Sequence, residues 1–157
     1  MLGWIILLSN AAATLFMLGL IWFVQIVHYP LMRMLPEQIS LRYAAEHQWR
    51  TTWIVAPVMC VEAISGLLVV FVHPVGMGPD VAALGFLLIV FIFYRTGVVH
   101  VPQHRFLASQ HEVETCRDET CRDETCRELV RSNWLRTFAW TIRGALVVFM
   151  LVECIDI

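Results

Sequence analysis

The chain has 157 residues, 59% of them hydrophobic, with a mean hydropathy of +0.68 and a net charge of −2. Soluble domains contain about 45–50% apolar residues, so this composition excludes an ordinary soluble domain and indicates a membrane protein. The small net charge excludes the general positive field of a nucleic-acid-binding protein.

The first apolar segment predicts a membrane-spanning helix over about residues 4–28. A helix of this length crosses about 30 Å of hydrocarbon at about 1.5 Å per residue. We expect it to end at Tyr29-Pro30, because the residue before a proline is disfavoured in α-helical geometry. Gln25 and His28 lie three residues apart and therefore share a face of this helix. A polar pair at this depth indicates a partner on another helix.

The connector at residues 29–51 predicts an amphipathic helix lying at the membrane interface. Ile39, Tyr43 and His47 recur every four residues and share one stripe of this helix. We therefore expect His47 to face the apolar side, towards the bundle or the lipid.

Three further apolar segments predict spanning helices over about residues 52–73, 81–102 and 134–154. Each carries polar or ionisable residues that are costly within a membrane. Glu62 is in the second segment, Arg95 and His100 are in the third with His104 just beyond it, and Asn133, Arg136 and Arg143 begin or occupy the fourth.

A charged extension at residues 103–133 contains a five-residue tandem repeat with cysteines at 116, 121 and 126. Five residues advance a helix about 140° beyond one full turn, so the cysteines would spiral around the axis. The pattern leaves two interpretations open. One is a solvated, mixed-charge helical extension, and the other is a thiol metal or redox site.

The predicted fold class is an all-α, integral-membrane four-helix bundle. It forms one domain, residues 1–157, with the amphipathic connector helix between helices 1 and 2 and the charged extension between helices 3 and 4. The connectors at 29–51 and 103–133 hold most of the arginines, whereas the intervening turn and the termini hold none. By the positive-inside rule, the connectors are cytoplasmic and both termini are outside.

This topology predicts that the polar residues converge on one site in the cytoplasmic half of the bundle. Neutral imidazole is the commonest metal ligand, and three imidazoles beside a carboxylate suit Fe, Cu or Zn. Two imidazoles from facing helices suit a b-type haem, with arginines pairing its propionates. We assign metal binding to His28, His47 and His104, cofactor binding to Gln25, Arg95, His100 and Asn133, and catalysis to Glu62, Arg136 and Arg143.

These residues also have plainer interpretations. Glu62, Arg95 and Arg143 would neutralise one another in a structural ion network, and Gln25 would make an interhelical hydrogen bond. The choice between His100 and His104 as the third ligand stays open.

The third helix ends in Val-Val-His-Val-Pro-Gln-His-Arg-Phe-Leu-Ala, and the fourth begins Asn-Trp-Leu-Arg-Thr-Phe-Ala-Trp-Thr-Ile-Arg. In these motifs the chain resembles small four-helix bacterial membrane proteins and is distantly similar to the anthrone-oxygenase-like family. The resemblance implies a bacterial inner-membrane oxygenase or oxidoreductase acting on an apolar, aromatic substrate. His104 stands where that family tends to have asparagine, which favours metal binding over cofactor-free oxygenation.

The leading hypothesis is therefore a membrane-embedded metal or haem protein with redox activity on a lipid-soluble, quinone-like or aromatic substrate. Its expected partners are the bilayer and this substrate, without nucleic acid, and a homodimer is left open. One alternative is a transporter or proton-relay protein that uses Glu62, Arg95 and Arg143. Another is a structural or assembly protein whose polar groups only fix helix packing.

Overall fold

The computed structural model of the chain describes residues 1–35, 37–102 and 119–155, which are mostly helical. The helices and two intervening π-helical turns are α1 (Leu2–Phe23), a first π turn (Val24–His28), α2 (Tyr29–Arg33), α3 (Glu37–Phe71), α4 (Pro79–Arg95), a second π turn (Thr96–His100) and α5 (Glu119–Ile155). Four stretches are long and apolar enough to cross a membrane: Leu2–Met32, Arg42–Phe71, Pro79–Val99 and Val130–Cys154. The predicted all-α, four-helix membrane architecture is confirmed.

The bundle has two ends that differ in their chain connections. Helices α1 and α4 each pack against both α3 and α5. At the terminal end, Gly3 approaches the backbone of His73 and Pro74 in the α3–α4 turn, beside Cys154 of α5. This turn contains Gly76 at φ 101°, and Pro79 at the first position of α4 follows. The opposite end, reached by the first π turn, is called the connector end below.

Both π turns precede a proline, and they correct the expected end of the first helix. The Tyr29 N–H bonds the carbonyl of Val24, five residues back, instead of the usual four. Proline lacks an N–H, and its ring crowds the carbonyl four residues earlier. The wider π turn accommodates Pro30, so the helical path continues to Arg33. The second π turn likewise ends two residues before Pro102.

The two halves of the chain share sequence at these positions. The pattern Val-His-x-Pro-x-x-Arg occurs at residues 27–33 and again at 99–105, and in each case the histidine ends a π turn. The pattern Ile-x-Gly-x-Leu-Val-Val-Phe occurs at residues 64–71 and 142–149. The two patterns thus occur in the same order in the α1–α3 half and in the α4–α5 half of the chain.

The predicted connector helix and second span form one continuous helix. Helix α3 begins at Glu37, not near residue 52, and continues through Pro57 to Phe71. Helix α5 similarly begins at Glu119, so the second part of the charged extension continues into the fourth span. Cys116 lies outside the described residues, as do the side chains of Cys121 and Cys126, so the two interpretations of the cysteine repeat stay predictions.

Glycines allow the helices to pack closely. A Cβ atom at Gly144 of α5 would lie 2.6 Å from Cδ2 of Leu18, and one at Gly66 of α3 would overlap Cδ1 of Ile89. Small residues at such crossings are typical of membrane helices. Many large apolar side chains on the outer faces are more than half exposed in the isolated chain, among them Ile64, Leu87 and Phe138. This surface suits contact with lipid.

Candidate functional site

Two predicted metal ligands meet at the connector end. His28 at the end of the first π turn stacks on His47 of α3, with ring centroids 3.8 Å apart and ring planes 18° apart. The Tyr43 hydroxyl lies 3.3 Å from Nδ1 of His28, and the Thr51 hydroxyl lies 3.3 Å from both ring nitrogens of His47. Tyr43, His47 and Thr51 are four residues apart, so they present one stripe of α3 to the histidine of the first span. His28 and His47 are called the imidazole pair below.

His28 of this pair is buried, including one of its ring nitrogens. The residue is only 7% exposed, and its Nε2 has no hydrogen-bond partner among the residues that the structure describes. His104, the third predicted ligand, lies outside the described residues, and so does the side chain of His100. Within residues 1–35, 37–102 and 119–155, no three His, Cys, Asp or Glu side chains gather around one point. The described chain therefore supplies two imidazoles to this site.

Gln25 and His28 contact different helices, although their spacing predicted a shared face. Its Oε1 accepts a hydrogen bond of 2.7 Å from Asn133 Nδ2, and its Nε2 donates to the Val130 carbonyl at 3.3 Å. Both partners are on α5. Because a π turn has wider spacing than an α-helix, residues three apart in it point to different neighbours. The contact that orients His28 comes instead from Tyr43.

Two arginines lie at the same end, on helices that pack against each other. Arg136 of α5 interacts electrostatically with Tyr29 of α2 and with Arg95 at the end of α4. Arg136 is 8% exposed and Tyr29 is 1% exposed. The Nε atoms of Arg95 and Arg136 are buried and have no hydrogen-bond partner within the described part of the chain. These two residues are called the arginine pair below.

A second buried group of polar residues links α1, α3 and α5, and we call it the mid-bundle network. The Thr14 hydroxyl donates to Oε1 of Glu62 at 2.7 Å. Asn10 Nδ2 donates to the Glu62 carbonyl at 3.1 Å and to the Ser65 hydroxyl at 3.2 Å. Arg143 Nη2 donates to Oδ1 of Asn10. All five residues are buried, so the network fixes the mutual positions of three helices.

Glu62 and Arg143 are connected through Asn10 and do not form an ion pair with each other among the described residues. Both are at most 1% exposed, and Oε2 of Glu62 and Nε of Arg143 lack hydrogen-bond partners within the described chain. Gly85 of α4 makes room for the guanidinium, since a Cβ there would lie 3.3 Å from Nη1. The glycine thus allows a large cation to lie within the bundle.

The structure separates residues that the sequence analysis placed in one pocket. Thr14, which binds Glu62, and His28 are fourteen residues apart along nearly continuous helix, or about 21 Å at about 1.5 Å per residue. The imidazole pair, the Gln25–Asn133 bond and the arginine pair belong to the connector end. Glu62 and Arg143 belong to the mid-bundle network instead. The structure therefore does not place Glu62 and Arg143 in one pocket with the imidazole pair, whereas the position of His104 stays a prediction.

Several contributing residues were given no role in the predicted site. Asn10 and Thr14 are one helical turn apart on α1, and Ser65 follows Glu62 by three residues, which is the spacing of neighbours on one helix face. Tyr43 was placed on the stripe of His47 but received no role. Hydroxyl and amide side chains recurring at three or four residues within an apolar segment are the signal that would have indicated them.

Comparisons with protein-family models, with curated proteins and with solved structures give no match to this chain.

Proposed function

We propose that this protein is a membrane-embedded, metal-dependent redox protein that acts on a lipid-soluble, quinone-like or aromatic substrate at the connector end of the bundle. The observation that carries the proposal is the contact between His28 and His47, whose ring centroids lie 3.8 Å apart within the membrane-spanning helices. Ionisable residues at such positions are costly and usually serve a site or pathway.

The surroundings of His28 support metal binding. When Nδ1 carries the proton, its N–H donates a hydrogen bond to the Tyr43 hydroxyl oxygen. The lone pair of Nε2 is then available to bind a metal. Ligand histidines usually make such a second hydrogen bond, which fixes the tautomer and the ring orientation. His47 provides the neighbouring imidazole, and we retain His104 as the third ligand. Such nitrogen-rich sites suit Fe, Cu or Zn, and of these Fe or Cu supplies one-electron chemistry.

A haem held axially by both members of the imidazole pair fits less well. A haem held between the two histidines would require space between their rings, whereas the rings are stacked directly on each other. Because an imidazole lone pair lies in its ring plane, both members could ligate one ion only once the rings tilt out of this stack. The pair is therefore consistent with a non-haem metal that reorients the rings on binding, or with a haem that only one of the two histidines ligates.

The orientation proposed for the membrane follows from charge. Arg42 and Arg50 belong to the connector end of α3, and Arg127 and Arg131 belong to the corresponding part of α5. Because arginine-rich connections are retained in the cytoplasm, we place the connector end at the cytoplasmic face of a bacterial inner membrane. The lipid-soluble substrate would then reach the site from the inner leaflet.

The test is metal quantitation on detergent-purified protein reconstituted separately with Fe, Cu and Zn. We expect close to one metal ion per chain in the wild type and a large loss in His28→Ala and in His47→Ala. His73→Ala is the matched control, because His73 lies in the α3–α4 turn at the terminal end and bonds only the Pro74 carbonyl among its described contacts. A folded wild type that binds none of the metals contradicts the proposal, and so does an equal loss in the control variant.

A second function, proton relay or ion transport, rests on the mid-bundle network. Glu62 is fully buried, and its Oε2 has no hydrogen-bond partner in the described chain. A carboxylate in such a position is suited to accepting a proton within the membrane. Transport by the protein in liposomes that is abolished in Glu62→Gln and retained in His28→Ala would favour this function over the metal site. Absence of transport in the wild type would leave the network a purely structural role.

A further inference from the structure

The arginine pair places two like charges at one end of the bundle, on two neighbouring helices. Arg136 comes from α5 and Arg95 from the last turn of α4, and their guanidinium groups interact electrostatically. Arg136 is 8% exposed and Arg95 is half-buried. Arginine keeps its charge under all ordinary conditions. The interaction between the two groups is therefore repulsive and needs compensation.

Within the described chain, no acid is paired with these two arginines. Tyr29, which is 1% exposed, is the other group that interacts electrostatically with Arg136. No Asp or Glu among the residues that the structure describes forms an ion pair with either arginine. The Nε atoms of both arginines are buried without a hydrogen-bond partner in the same part of the chain. A charge within a membrane-spanning segment is costly unless it has a partner, so the pair is suited to an external anion.

The position of the pair relative to the membrane indicates the depth of that anion. Arg95 precedes the end of its candidate span, Val99, by four residues, or about 6 Å. Arg136 follows the start of its span, Val130, by six residues, or about 9 Å. Both therefore lie just inside the hydrocarbon boundary at the connector end. A lipid headgroup that moves slightly inward reaches this depth. A free anion reaches it from the connector side.

We propose that Arg95 and Arg136 together bind an oxyanion of the phosphate type, delivered either as the headgroup of an anionic lipid or as free inorganic phosphate. The planar guanidinium presents paired N–H groups that match two oxygens of such an anion. Two guanidinium groups from different helices would hold it from two sides and join α4 to α5. This site uses neither His28 nor His47, so it stands whether or not the imidazole pair binds a metal.

The experiment measures ligand retention by native mass spectrometry of the purified full chain. The probes are phosphatidylglycerol, zwitterionic phosphatidylcholine and inorganic phosphate, each titrated separately. We expect phosphatidylglycerol or phosphate to bind more tightly than phosphatidylcholine, and Arg136→Gln and Arg95→Gln to weaken that binding about tenfold or more. Arg95 is the less buried of the two, so its variant keeps the test valid where Arg136→Gln fails to fold.

The matched control is Arg50→Gln, which removes the same charge from the connector end. Arg50 is 79% exposed and pairs with Glu46 on the surface of α3 at 2.9 Å, so its loss should leave binding unchanged. Binding of phosphatidylglycerol but not phosphate identifies a lipid as the source, and the reverse identifies the free anion. Binding of neither probe above the phosphatidylcholine level overturns the proposal. An equal weakening in Arg50→Gln also overturns it, because binding would then reflect general surface charge.

Discussion

Replacing Asn10 by alanine should destabilise the bundle more than any substitution of a surface polar residue on α1. Asn10 is fully buried, donates to the Glu62 carbonyl and the Ser65 hydroxyl, and accepts from Arg143. Interhelical hydrogen bonds in membranes average about 0.6 kcal/mol each. Hydrogen bonds to charged groups contribute about 1.5–3 kcal/mol. Two neutral bonds and one charged bond give an expected loss of about 3 kcal/mol in the free energy of unfolding.

The assay for Asn10→Ala is reversible unfolding in mixed detergent micelles, followed by circular dichroism. Ser9→Ala is the matched control, because Ser9 is exposed and its hydroxyl donates to the Ile5 carbonyl of the same helix at 2.8 Å. The control should change stability by less than about 0.5 kcal/mol. If the two variants lose the same amount, the mid-bundle network does not hold the helices together, and the reasoning from buried hydrogen bonds is refuted.

Two further predictions concern packing and the imidazole pair. Gly66→Leu should cost about 1–3 kcal/mol of stability through overpacking against Ile89, whereas Gly19→Leu, with no atom within 4 Å of its added Cβ, should cost little in the same unfolding assay. Equal effects would refute close α3–α4 packing at Gly66. Tyr43→Phe should weaken metal binding about 10–100-fold by removing the hydrogen bond to His28, with Tyr94→Phe, which is 61% exposed, as the control in a competition titration. Unchanged affinity in Tyr43→Phe would show that this contact does not orient a ligand.

The number of spans was predictable from the sequence because each is a long apolar segment bounded by charged or turn-forming residues. The helix ends were less predictable, since Pro30 was treated as a terminator. The structure shows that a π turn before it lets the helical path continue. Comparing residues 27–33 with 99–105 would have revealed that the same device occurs twice.

Part of the candidate site was predictable as well. His28 and His47 were assigned to one metal site, and the structure brings their rings into contact. Glu62 and Arg143 were assigned to the same site as these histidines because their depth in the membrane was judged only by counting residues from the helix ends. The direction each side chain faces depends on how an almost uniformly apolar helix is rotated in the bundle. Hydropathy carries little information on that rotation, whereas Asn10 and Thr14 on α1 determine it through hydrogen bonds.

The most direct test of the central claim is pulsed electron paramagnetic resonance on the Cu(II)-loaded protein. The remote nitrogens of coordinated imidazoles give a modulation whose depth reports how many imidazoles are bound. The account predicts at least two coordinated imidazoles in the wild type and one fewer in both His28→Ala and His47→Ala. A spectrum without imidazole modulation, or the same number of imidazoles in the wild type and both variants, would contradict a metal site built on these two stacked histidines.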